Sequence, residues 1–169
     1  MNDAGTNQMT LHTGPGCSLS PITSAPSPTG SPGNDDCTSS GGNNAGCAYT
    51  DYDPQSYGQG FNDNGGGVYA HILGSNGIQI WFFPRGQIPQ DITDGTPDPS
   101  TWPPAVGSFS ADSCDPTHFS NQNIVINISA CGDWAGSAYG TQPGSKCTGS
   151  CSSAIADPSN IISKAVINC

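Results

Sequence analysis

The sequence contains no glutamate and very few basic residues. All 13 acidic side chains are aspartates, and only 3 lysines and arginines oppose them, so the formal net charge is -10. Such an acidic surface repels phosphate backbones and anionic lipids. We therefore expect neither a nucleic-acid nor a membrane partner, and any mechanism that needs a glutamate from these residues is excluded.

Long apolar runs and charge-rich segments are also missing. No apolar run reaches the roughly 18 residues of a membrane span. Charged residues make up 9% of the chain, which contains 23 Gly and 15 Pro, a composition that disfavours long amphipathic helices. A hydrophobic content of 33% is enough for a modest core. We predict one all-β domain over residues 1–169, most simply a β-sandwich.

Eight dispersed cysteines predict four disulfides, as in an extracellular protein. Their pairing stays open, because eight cysteines allow about a hundred combinations. Zinc binding would require tighter pairs, and no metal or cofactor is expected. The Met1–Ala4 start lacks a signal peptide, which predicts that the natural beginning is missing. The cysteines are Cys17, Cys37, Cys47, Cys114, Cys131, Cys147, Cys151 and Cys169.

Alternating apolar and polar residues predict the strands. The first strand spans Asn7–His12, with Met9 and Leu11 on one face. A cysteine-, proline- and glycine-rich loop follows over residues 13–50, which is either held by cross-links or disordered. Two further strands, Val68–Leu73 and Ile78–Phe83, form a hairpin whose Asn76-Gly77 pair tolerates the positive φ of a tight turn. Later strands are predicted over Asn121–Ala130, with isoleucines in the core, and over Ile161–Ile167.

Amides, imidazoles and aromatic rings on one sheet face are what a sugar-binding cleft requires, because rings stack on pyranoses and polar groups bond hydroxyls. A solvated sheet face with rim aromatics is the simpler alternative from composition alone. The candidates for sugar contact are Gln8, His12, Trp81, Asn123, Asn127 and Trp134.

Five segments in order resemble the C-terminal part of fungal glycoside hydrolase family 16 enzymes, the endo-β-1,3(4)-glucanases or laminarinases. The resemblance covers nearly the whole chain, and its most specific part is the Cys-Gly-Asp-Trp-Ala-Gly sequence. The segments are Thr6–Thr13, Gly65–Ala70, Gly77–Gly86, His118–Gln122 and Cys131–Gly136.

This resemblance implies an incomplete concanavalin-like β-jelly-roll with long disulfide-stapled loops, and a concave face that binds β-1,3-glucan or mixed-linkage glucan. It also implies a retaining mechanism on two glutamates of a Glu-x-Asp-x-x-Glu strand. That motif is absent, so no catalytic residue is assigned. By resemblance, His12 lies near the cleaved bond, Trp134 lines the sugar cleft and Asp133 lies near it, whereas the Ala70–Gly74 segment departs from the family pattern.

Several alternatives stay open at the sequence level. Asp51 and Asp53 have same-face spacing but lie in a predicted loop, which argues against aspartate-based catalysis. Asn127 begins an N-glycosylation sequon, yet a glycan there would block the presumed cleft. The chain is interpreted as part of a glucanase, as a β-glucan-binding protein without hydrolysis, or as a disulfide-rich structural or effector protein. Unpaired strand edges are expected to favour self-association.

Overall fold

The computed structural model describes residues 6–126, 131–141 and 147–159. Residues 6–121 form one compact unit, and the chain from residue 122 onward belongs to a second. The first unit contains the sheets and most of the apolar core, and the second contains two short helices.

The first sheet is antiparallel and has the strand order β1-β3-β2. Strand β1 (Asn7–Leu11) confirms the first predicted strand, and β2 (Ser31–Pro32) is very short. Strand β3 (Cys47–Asp51) lies inside the segment predicted as a loop, so that prediction is wrong at its end. Four of the five β3 residues are buried, and burial on both faces removes the alternation by which a strand is recognised.

The second sheet is a meander of three antiparallel strands. Strands β4 (Gly67–Gly74) and β5 (Gly77–Pro84) form the predicted hairpin, and β5 also pairs with β6 (Gly107–Ser110), which was not predicted. Of the predicted Asn76-Gly77 turn pair, only Gly77 has a positive φ, at +124°. A Cβ atom there would collide with the Phe109 carbonyl oxygen, so the meander also requires glycine for close approach.

The two sheets pack face to face and enclose the core of a β-sandwich. Ile78 and Phe109 from the second sheet pack with Tyr49 from the first, and the Tyr49 and Phe109 rings meet edge to face at 5.4 Å. Phe82 and Met9 meet in a neighbouring cluster. Ile78 and Phe82 of β5 therefore face this core, and the predicted all-β sandwich is confirmed.

Disulfides and short helical turns hold the connections of the first unit. Cys17 pairs with Cys114 across 97 positions of sequence, and Cys37 pairs with Cys47 across 10. Helices α1 (Gly58–Asp63) and α2 (Gln90–Thr93) have one or two turns each. Single 3-10 turns occur at Arg85–Gln87, Pro99–Thr101 and Pro116–His118. The loop between β5 and β6 is therefore folded.

Helices α3 (Asp133–Ala138) and α4 (Cys151–Ala156) make up the regular structure described in the second unit. A disulfide joins Cys131 to Cys151, and Cys147 is also disulfide-bonded. Ser150 closes the first turn of α4 through a reciprocal capping box with Ser153. Across the described ranges, no helix has the length and apolar content needed to cross a membrane.

The predicted strand over Asn121–Ala130 is not found in its first six residues. Ile124 and Ile126, expected in the core, are 96% and 93% exposed. Alternation makes a strand only where a neighbouring strand supplies the ladder, and no described strand pairs with residues 121–126. Residues 127–130 and the predicted strand over residues 161–167 lie outside the described residues.

Candidate functional site

Strand β1 presents a polar face that points away from the core. Because Met9 and Leu11 pack inward, the alternation of the strand turns Gln8 and Thr10 to the opposite side, and His12, directly after the strand, continues this alternation; all three are exposed. Gln8 lies opposite Thr50 of β3, which continues this face onto the neighbouring strand. The predicted residues Gln8 and His12 thus share one exposed sheet face.

The imidazole of His12 is the most firmly held polar side chain on this face. Its Nδ1 atom lies 2.9 Å from the hydroxyl oxygen of Ser39, within hydrogen-bond distance. Gly46 also approaches the ring so closely that a Cβ there would lie 2.7 Å from Nδ1. Two parts of one loop therefore lie against the ring near Nδ1, while the side chain stays exposed.

A polar cluster closes one end of the sandwich core. The Tyr69 hydroxyl donates to the Ser56 carbonyl oxygen and accepts a 2.8 Å bond from the Asn7 amide. Burial raises the pKa of Tyr69 to about 12, and the negative charge of Asp51 adds to the shift. Tyr69 is therefore a neutral hydrogen-bonding group at physiological pH and joins β4 to β1.

Asp51 and Asp53 do not form an acid/base pair. Asp51 is 7% exposed, and its Oδ1 atom accepts a 2.9 Å bond from the Asp53 backbone N–H. The Asp53 carboxylate accepts a 2.8 Å bond from the Gln55 backbone N–H. These bonds are typical of turns in which aspartate binds the backbone two residues on. Asp51 Oδ2 has no hydrogen-bond partner among the described residues.

Trp81 was predicted as a ring that contacts sugar, but the structure places it in a buried cluster. The ring is 3% exposed, and its Nε1 donates a 2.9 Å bond to the Pro103 carbonyl oxygen. Trp102 covers it edge to face at a centroid distance of 5.2 Å. The loop before β6 covers this outer face of β5 with apolar side chains. Trp81 has no exposed ring face to offer a sugar.

The remaining predicted sugar contacts belong to the second unit. Asn123 is exposed, and Asp133 is exposed at the first position of α3. Trp134 follows it in the same helix. Asn127, predicted both as a sugar contact and as a glycosylation site, lies outside the described residues. These residues therefore remain predictions about binding.

The described residues contain no group of three or more His, Cys, Asp or Glu side chains that could hold a metal ion. Asp115, whose pKa is lowered by the hydrogen bond from the Thr117 backbone N–H, instead caps the turn at Pro116–His118. The chemistry available on the β1 face is accordingly hydrogen bonding by an amide, hydroxyls and an imidazole.

Residues 1–166 match the family described as the XgeA-like, catalytic domain of glycoside hydrolase family 16. The chain belongs to glycoside hydrolase family 16. A probable glycosidase of Schizosaccharomyces pombe is 41% identical over 152 residues, which are 89% of this chain and 36% of the yeast protein. A probable endo-1,3(4)-β-glucanase of Aspergillus flavus is 34% identical over 98% of this chain and 23% of its own length.

Solved family 16 structures share the sandwich. Laminarinase 16A from Phanerochaete chrysosporium aligns with a TM-score of 0.75 and 36% identity, over 89% of this chain and 51% of the laminarinase. An elongating family 16 β-1,3-glucosyltransferase aligns with a TM-score of 0.72 and 38% identity, over 83% of this chain and 46% of the transferase. The family 16 jelly-roll is therefore confirmed, and the chain spans at most about half the length of these proteins.

Two residues beside His12 were missed by sequence reasoning about this family 16 chain. Ser39 and Gly46 lie in the low-complexity part of the predicted loop, where serine and glycine are ordinary turn residues. The available signal was that Cys37 and Cys47 bracket both residues, but a sequence does not reveal which cysteines pair. The Cys37–Cys47 disulfide and the pairing register of β1 with β3 together place Ser39 and Gly46 beside His12.

Proposed function

We propose that this chain recognises β-1,3-glucan, including glucan with β-1,6 branches, and that Gln8 and His12 on the exposed face of β1 bind sugar hydroxyls. The observation that carries the proposal is the confined, exposed imidazole of His12 on a polar sheet face of a family 16 domain. Asn123, Asn127, Asp133 and Trp134 are proposed as further sugar contacts, with Trp134 providing a stacking ring.

The chemistry of the β1 face supports a carbohydrate ligand. A glucan presents neutral hydroxyl groups, which both donate and accept hydrogen bonds, and the amide, hydroxyls and imidazole of this face have the same dual capacity. The net charge of -10 disfavours anionic ligands but imposes no such penalty on a neutral polysaccharide.

The relatives support the same ligand class. Three of the compared proteins are named for endo-1,3(4)-β-glucanase, laminarinase or β-1,3-glucosyltransferase activity. The laminarinase structure contains β-glucans, 6-O-glucosyl-laminaritriose, in both its donor and acceptor sites. We infer from the disulfides that the protein works in an extracellular environment, where such bonds persist.

We propose binding, rather than hydrolysis, as the activity of these 169 residues by themselves. Family 16 hydrolysis as described above needs two glutamates, and this sequence contains none. The two aspartates with suitable spacing are committed to backbone hydrogen bonds near β3. No substitute carboxylate pair is therefore available there for a retaining or an inverting mechanism.

The test is titration of laminarin into the 169-residue chain by calorimetry, together with sedimentation of the chain on insoluble β-1,3-glucan and an assay for reducing sugars. We expect saturable binding and no release of reducing sugar. His12→Ala should weaken binding about tenfold, because it removes one well-positioned hydrogen bond to the sugar.

His71→Ala is the matched control, since His71 is also an exposed strand histidine but lies on β4 and has no role in the proposal. It should bind laminarin as the unmodified chain does. Equal binding by the His12 and His71 variants would refute the assignment of His12. Failure of the unmodified chain to bind any β-glucan would refute the proposed function itself.

A further inference from the structure

A disulfide-closed loop lies against one edge of the His12 imidazole. The loop spans residues 38–46 and is closed at its base by the buried Cys37–Cys47 disulfide. One end continues directly into β3, which pairs with β1 beside His12 through the Leu11–Cys47 register. The two loop residues that approach the ring, Ser39 and Gly46, are therefore both near the covalent closure.

The position of Ser39 is determined by backbone bonds rather than by its side chain alone. Its N–H donates a 2.8 Å bond to the carbonyl oxygen of Thr13, the residue after His12. The Thr13 N–H in turn donates a 2.9 Å bond to the Cys37 carbonyl oxygen. This pair of bonds brings the Ser39 hydroxyl to His12 Nδ1 with little remaining freedom, so little entropy is lost when the side-chain bond forms.

Gly46 also limits the space around the ring, at its Nδ1–Cε1 edge. Its φ is +64°, a conformation that favours glycine, and a Cβ there would lie 2.9 Å from His12 Cε1 and 2.6 Å from the Leu11 carbonyl oxygen. The Gly46 carbonyl oxygen accepts a 2.7 Å bond from the Asn34 amide, which anchors this end of the loop. The imidazole therefore lies against backbone that cannot withdraw easily.

We propose that Ser39 and Gly46 are positioning residues that hold His12 in one ring orientation and one tautomer, so that Nε2 is the ring atom presented to a glucan hydroxyl. The described residues offer Nε2 no hydrogen-bond partner, whereas Nδ1 is occupied by Ser39. The proposal assigns the Ser39 hydroxyl as the donor to Nδ1, so that the proton of the neutral ring resides on Nε2, which then donates to the sugar. This inference rests on the proposed glucan binding and specifies how its central residue is held.

The first readout is the tautomer of His12, which is measured without any ligand. Long-range ¹H–¹⁵N spectra of the ¹⁵N-histidine-labelled chain at mildly alkaline pH should show a single Nε2–H tautomer for His12. Ser39→Ala should produce a mixture of the two tautomers, because only the intrinsic preference of the free imidazole then acts on the ring. Ser39→Thr retains a hydroxyl and should restore the single tautomer.

The second readout is laminarin affinity. Ser39→Ala should weaken binding about three- to tenfold, the range expected for loss of one hydrogen bond that orients a binding group. Ser39→Thr should recover most of that loss. Ser40→Ala is the matched control, because Ser40 is the exposed neighbour in the same loop and bonds through its backbone to Asn43. It should change neither readout.

The outcomes separate this inference from the proposed function. A tautomer unchanged in Ser39→Ala overturns the positioning role, even if the unmodified chain binds laminarin well. A tautomer that changes while affinity does not would also overturn it. If the unmodified chain fails to bind any glucan, the proposed function falls, and the spectra still decide whether Ser39 orients the ring.

Discussion

Two long connections of the first unit are ordered by different forces. The loop over residues 38–46 has no buried apolar side chain, and the Cys37–Cys47 disulfide and polar contacts hold it. The loop over residues 85–106 contains no cysteine, and Ile88, Ile92 and Trp102 pack onto the outer face of β5. A loop that contributes to the core needs no cross-link, whereas a polar loop that must position a side chain does.

The difference also decides what each loop leaves exposed. The loop over residues 38–46 contacts His12 and leaves the polar face of β1 open to solvent. The loop over residues 85–106 covers Trp81 and Phe83 and is fastened by Asp91, whose Oδ2 atom accepts bonds from Trp102 Nε1 at 2.8 Å and from the Asp98 N–H at 2.6 Å. The loop over residues 85–106 therefore contributes to stability, whereas the loop over residues 38–46 contributes to the proposed sugar binding.

Trp102→Ala should produce the largest loss of stability. The variant removes the ring that meets Trp81 at 5.2 Å and Phe83 at 5.3 Å, both edge to face, and exposes their apolar surface. We expect the free energy of unfolding, measured in urea, to fall by about 3 to 4 kcal/mol. Laminarin affinity of the folded fraction should stay the same, with Trp102→Phe as the milder control. Weaker binding without a loss of stability would contradict this division of roles.

Cys37→Ala combined with Cys47→Ala should have a slightly smaller effect on stability but a clear effect on binding. A closed loop of this length contributes about 2 to 3 kcal/mol to the free energy of unfolding in the chain-entropy description. Release of the loop also removes Ser39 from His12, so laminarin affinity should fall as it does in Ser39→Ala. Unchanged affinity in a folded double variant would mean that the loop holds His12 without its cross-link.

Asp91→Asn should give the smallest effect, and the effect should depend on pH. The backbone N–H of Asp98, followed by the Trp102 indole, lowers the pKa of Asp91 below its ordinary value near 4. A carboxylate with a lowered pKa in the folded state stabilises the fold at pH values above its unfolded-state pKa. This stabilisation is lost as the pH falls through its folded-state pKa.

Urea unfolding between pH 7 and pH 3 measures this effect. The unmodified chain should lose more stability on acidification than Asp91→Asn does. Asp94→Asn is the matched control, because Asp94 lies in the same segment and accepts a bond only from the exposed Gln90 amide among the described contacts. If the free energy of unfolding falls equally with pH in the unmodified chain and in Asp91→Asn, the Asp91 carboxylate does not stabilise this loop.

Local pattern was enough where alternation or a hairpin turn marks the strands. β1 and the β4–β5 hairpin follow from alternation and a short turn, and both agree with the structure to within one residue at each end. β3 could not be predicted because it is buried on both faces and, unlike β5, is not marked by an Asn-Gly turn. The segment over residues 121–126 has the alternation but is not a strand in the described structure, since a strand requires a partner.

The candidate site was predictable only in part, because some of its contacts join residues that are distant in sequence. The exposed face of β1, with Gln8 and His12, follows from period-two geometry. The burial of Trp81 does not, because it depends on a loop far along the chain folding back over β5. Ser39 was equally hidden, since its contact with His12 depends on which cysteines pair.

The sequence by itself determined that this protein is acidic, free of glutamate, rich in cysteine and built from alternating strands in a family 16 pattern. These properties need only composition, period and motif order, which the chain carries locally. The tertiary structure alone decided which face of β5 is covered, which cysteines close the loop around residues 38–46, and that Ser39 and Gly46 confine His12. Those outcomes depend on contacts between residues distant in sequence, and local pattern contains no information about them.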